Sequence, residues 1–98
     1  MFEVHQPFRL NRNFPNPFSK TTRLSFELPD SDEVDISVFD VRGRVIRQLV
    51  AEFRAAGAYQ VEWDGTDQMG RRMPAGTYFV RLTTSYGSSV IPVTKSGS

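Results

Sequence analysis

Ninety-eight residues, 39% hydrophobic, 23% charged and 12% aromatic, fit one globular domain, and a chain of this length buries roughly 60–65% of its unfolded surface. A formal net charge of +1, with acids and bases interleaved as in "DVRGRVIRQLVAEFR", gives no support for nucleic-acid binding. The lack of cysteine excludes a disulfide framework or thiolate metal site, no run reaches the ~20 apolar residues that span a bilayer, and no signal-peptide core follows Met1.

Residues 1–19 read as irregular, because Pro7, Pro15 and Pro17 remove backbone donors. In "NFPNPFSKTTRLSFELP" two prolines enclose Asn16 and are flanked by Phe14 and Phe18. Such a backbone belongs at a sheet edge or on the approach to a strand. Both rings are therefore expected to plug one end of a core, as an N-terminal lid. "RLSFELP" then alternates through Leu24, Phe26 and Leu28, the period of a half-buried strand, and "PDSDE" turns.

"VDISVFDV" alternates through Val34, Ile36 and Val38, but the phase slips at Phe39 and Val41. That slip predicts a bulge or a strand buried on both faces. Arg42 and Gly43 make a tight turn before "RVIRQLV". The segment "VIRQLVAEF" also fits a turn and a half of helix with Ile46, Leu49, Val50 and Phe53 on one side; strand is preferred because its neighbours read as antiparallel. After the break at "AAGA", "YQVEW" alternates through Tyr59, Val61 and Trp63. The loop "DGTDQMGRRMPAG" leads into "TYFVRLTT", which alternates through Tyr78, Val80 and Leu82, and "VIPVT" closes the chain after a turn at "SYGSS". Six or seven strands with no helix between them predict an all-β fold: an immunoglobulin-like antiparallel β-sandwich of about seven strands. No internal repeat stands out.

Three chemistries are weighed and set aside. Asp64 and Asp67, with Gly65 and Gly70, could offer carboxylates to calcium, but an EF-hand needs more oxygen ligands and a closing Glu. Arg71 and Arg72 follow instead, so Asx-type turns with glycines at positive φ are expected, and neither metal nor cofactor is assigned. Tyr59, Trp63, Tyr78 and Tyr86 could stack on sugars, yet strand phase turns the first three inward and leaves only Tyr86. Catalysis lacks parts: His5 is the one histidine, and Asp30, Asp32 and Glu33 read as a solvated rim on a turn rather than carboxylates across a cleft. A non-enzymatic domain is expected.

The order of motifs carries more than any one of them. "NFPNPFSKTTRLSFELP", "VDISVFDVRGRVIRQLV" and "AGAYQVEWDGTDQMGRRMPAGTYFVRL", in this order and spacing, resemble the C-terminal sorting domains of type IX-secreted proteins. They look equally like the related Ig-like domain of the flagellar hook-capping protein. The sorting resemblance implies a folded address at the end of a larger exported protein, delivered to the cell surface or the medium. Its implied partners are the outer-membrane translocation machinery, a sortase-like enzyme and a covalently linked upstream passenger, with a monomeric domain and no membrane span. It places Pro15, Asn16, Pro17 and Phe18 at the domain entrance and Asp40 and Gly43 in the mid-domain turn. Trp63, Asp64, Gly65, Pro74, Gly76 and Tyr78 surround the long loop, and the closing signal falls on Val90, Ile91, Pro92, Val93 and Lys95.

An edge strand offers unpaired backbone groups to a partner, so the last strand is expected to present that signal, with Pro92 deterring indiscriminate pairing. The expected layout is a linker remnant or added leader over 1–9, the Ig-like domain over 10–95 and a tail or linker scar over 96–98. Two rival functions are a flagellar hook scaffold and a carbohydrate-binding accessory domain of a polysaccharide-degrading enzyme.

Overall fold

The computed structural model describes residues 9–97. Apart from Arg9, the expected linker lies outside the described residues, as do His5, Pro7 and Ser98. The strands are β1 (Arg9–Leu10), β2 (Thr22–Leu28), β3 (Asp32–Phe39), β4 (Val45–Arg54), β5 (Gly57–Trp63), β6 (Gly76–Thr84) and β7 (Gly87–Lys95). They form two antiparallel sheets, ordered β1-β2-β5 and β4-β3-β6-β7. The predicted immunoglobulin-like sandwich is the fold observed.

Alternation in sequence becomes the core between the sheets. Leu24, Phe26 and Leu28 from β2 meet Val34, Ile36 and Val38 from β3, Val80 and Leu82 from β6, and Val93 from β7, all buried. Each such side chain contributes about 1.5–3 kcal/mol by leaving water. The phase slip in β3 is real: its register against β4 shifts between Ile36 and Ser37 and again between Val38 and Phe39. Ser37 is also buried, so this stretch is covered on both faces, and its Oγ donates to Asp35 Oδ1 at 2.7 Å.

The segment 45–54 is a strand, as preferred, but at the sheet edge only Val50 is buried, and Phe53 faces solvent. That edge is partly covered. Gln68, from the loop after β5, donates its backbone N–H to Ile46 O and accepts the Gln48 N–H on Oε1, both at 3.0 Å. Bare edge groups invite foreign strands, and here the chain answers part of its own edge.

The proline-rich entrance differs from the expected lid in one residue. Phe18 is buried as anticipated, whereas Phe14 is 78% exposed. The cause is register: Phe14 and Arg23 exchange both backbone hydrogen bonds at 2.8 Å, and directly opposed residues share a face. Arg23 points outward between buried Thr22 and Leu24, so Phe14 must point outward too.

Candidate functional site

The entrance segment is a strap between the sheets. Asn11 and Phe14 bond to β2, and four residues later Phe18 makes a parallel bridge with Lys95 of β7. Pro15 and Pro17 occupy the crossing, where a backbone donor would have no strand to reach. Asn13 Nδ2 and the Thr22 hydroxyl both donate to Pro15 O, at 3.2 and 2.8 Å. Asn16 Oδ1 accepts the Thr94 N–H at 3.0 Å, Phe18 N donates to Thr94 O at 3.0 Å, and Ser96 N donates to Phe18 O at 2.8 Å. The outer edge of β7 is thus closed at its C-terminal end.

Beneath the strap the aromatic residues stack edge to face. Trp63 is fully buried, with Phe18 at 5.4 Å and Tyr78 at 5.2 Å between ring centroids, and its Nε1 donates to Thr66 O at 2.8 Å. Tyr78 is also buried, donates its hydroxyl to Pro74 O at 2.6 Å, and has its pKa raised by burial and by the nearby Asp40 charge. Tyr59 lies stacked on Phe26. These rings serve packing, as strand phase predicts, and Tyr86 stands exposed in its turn.

Two turns at the same end share one hydrogen-bond plan. Asp40 Oδ1 accepts the N–H groups of Arg42 and Arg44, its Oδ2 accepts Arg44 Nε, and Gly43 N–H returns to Asp40 O. Asp67 repeats this with Met69, Arg71 and Gly70. Gly43 and Gly70 both take φ 84°, where a side chain is strained. "DVRGR" and "DQMGR" spell the repeat in the sequence, a signal the search for longer repeats passes over. Amide donation, from Arg44 and Arg71 foremost, holds the Asp40 and Asp67 carboxyls below their ordinary pKa. Asp64 is lowered too, mainly by the Thr66 hydroxyl and then by Thr66 N–H and the Arg47 charge. Arg47 also donates to the Thr66 hydroxyl, locking the loop to β4.

The acids are turn formers, and among the described residues no group of three His, Cys, Asp or Glu could hold a metal. Asp32 departs from its expected place on a solvated rim. It is buried and receives Ser85 Oγ at 2.8 Å and Glu33 N–H at 2.7 Å, holding the β6–β7 turn to the start of β3. Of the residues expected to carry a terminal signal, Val90 is exposed and Ile91 half-buried, and Pro92 lies on the outer face. Val93 and Lys95 are buried and offer no side chain to a partner. Lys95 lays its stem across Gly65: a Cβ there would sit 2.7 Å from Lys95 Cε.

Comparison with known proteins follows the same stretch of chain. The model of the FlgD Ig-like domain matches residues 12–88. The chain belongs to the FlgD Ig-like domain family. The basal-body rod modification protein FlgD of Salmonella typhimurium is 36% identical over 73 residues, covering 72% of this chain and 31% of that protein. FlgD from P. aeruginosa has a crystal structure that superposes with a TM-score of 0.59 at 34% identity, over 76% of this chain and 58% of that one. The dimeric latent PorU of Porphyromonas gingivalis superposes at 0.74 over 99% of this chain and 10% of that one, but 16% identity shows the fold alone. This FlgD-type chain spans less than a third of the length of the curated relatives it matches.

That kinship corrects the sorting expectation. Type IX likeness extends no further than the sandwich, while sequence identity points to FlgD. The translocation machinery, the sortase-like enzyme, the linked passenger and the cell-surface destination fall with it. FlgD-type domains and sorting domains share their strand order and turn chemistry, so motif order alone could not separate them.

Proposed function

We propose that this domain is a non-catalytic scaffold module of a flagellar hook-capping protein. The observation that carries the reading is sequence kinship with FlgD over residues 12–88, well beyond shared architecture. The geometry supports a structural role. Asp40, Asp64 and Asp67 already accept hydrogen bonds from their own loops, and the largest aromatic side chain, Trp63, is sealed in the core.

The test is a chimera in which residues 12–88 replace the matching segment of the Salmonella typhimurium protein. Hooks and swimming restored in a strain lacking its own copy support the scaffold reading. Hookless cells that nonetheless contain normal amounts of soluble chimera sink it.

A further inference from the structure

Charge that is interleaved along the sequence is separated along the molecule. Antiparallel strands carry turns alternately to two ends, so alternating blocks of acid and base are sorted by topology. Arg42 and Arg44 from the β3–β4 turn, Arg47 at the start of β4, and Arg71 and Arg72 from the long loop gather at one end, where Lys20 precedes β2. The acids there are Asp40, Asp64 and Asp67. At the other end stand Glu27, Asp30, Asp32, Glu33 and Asp35, with Glu52 opposite Val34 across the β3–β4 pair. Only Arg9 and Arg54 are placed among them.

Exposed apolar side chains sit at both ends. Val41, Val45 and Met69 are 70%, 61% and 79% exposed and line two shallow depressions that adjoin at Arg44 and Met73. Phe53 and Tyr86 are about as exposed at the acidic end. An apolar patch ringed by charge of one sign marks an interaction surface.

We propose that the cationic end, centred on Val41, Arg42, Arg44 and Met69, docks on the acidic end of a second copy of this chain. The occupant follows from charge: the molecule itself carries the surface of opposite sign, with its own exposed apolar groups to meet these. A contact between two different ends is heterologous, so it propagates from copy to copy instead of closing as a two-fold dimer. The inference rests on charge placement and exposure, and stands apart from the flagellar reading.

Sedimentation velocity of the full chain tests it. At low salt the chain is expected to grow beyond a dimer as concentration rises. Dissociation should increase at least about tenfold at high salt, where screening acts over only a few ångströms. A blocked-head variant (Val41→Ser, Arg42→Ser, Met69→Ser) and a blocked-tail variant (Asp30→Ser, Glu33→Ser, Tyr86→Ser) change only exposed positions. Each alone should be monomeric, and their mixture should form a single one-to-one pair. Thermal melting of both variants shows that they are folded, and the wild-type salt series does not depend on them. A wild-type chain that stays monomeric at about 1 mM in low salt overturns the proposal and leaves the cationic end to an acidic partner of another kind. Variants that associate as the wild type does, or folded variants that fail to pair, overturn it as well.

Discussion

At the scale of single residues, Gly65 is constrained twice. Its φ of 77° is strained for any side chain, and the Lys95 stem fills the space a Cβ needs. Gly65→Ala should lower unfolding free energy by about 1–3 kcal/mol, read from urea denaturation, since Lys95 can swing aside but the backbone cannot. The three lowered carboxyls give a pH signature. Asp40, Asp64 and Asp67 have native pKa values below the ordinary 3.8, so the native state holds fewer protons than the unfolded one. Their stabilisation is complete above that ordinary value and is lost as pH falls through the depressed native values. Melting temperature should therefore drop below about pH 4, and the pair Asp40→Asn with Asp67→Asn should flatten that slope. The Asx turns were legible in the sequence because Asp and Gly at fixed offsets have a local mechanism. The burial of Asp32 was not, because its partner Ser85 lies on a distant turn.

At the scale of elements, the alternation in β2, β3, β5 and β6 foretold which side chains enter the core, since one face of each strand is covered and the other is wet. Segment 45–54 was harder. Its apolar residues satisfied helical spacing as well, and pairing with β3 along its length decided for strand. Phe14 and Phe18 looked equivalent in sequence, and only the register against Arg23 and Lys95 separates them. Their substitution should separate them as sharply. Phe18→Ala removes a buried ring packed on Trp63 and should cost about 3–5 kcal/mol. Phe14→Ala, at an exposed position, should stay within about 0.5 kcal/mol. Equal losses for the two would mean that Phe14 also seals the core.

At the scale of the molecule, the sandwich was legible and the sorting of charge was not, because the sheet order that brings residues 27–35 and 52 together is a long-range fact. The strap has a consequence of another kind. Residues 9–18 run from the acidic end to the cationic end, and Phe18 then lies parallel to β7, which leaves at that same end. Tension applied at residue 9 and residue 97 would drag these parallel segments past each other along their length. The hydrogen bonds among Asn16, Phe18, Thr94 and Ser96 would then be loaded together, in shear, rather than peeled one at a time. Pulled from its ends in an optical trap, the domain should give way at a distinctly higher force than when pulled across β6 and β7 at their shared turn. The Asn16→Ala variant should yield earlier in the first geometry only. The short proline-rich entrance would then act as a mechanical clasp.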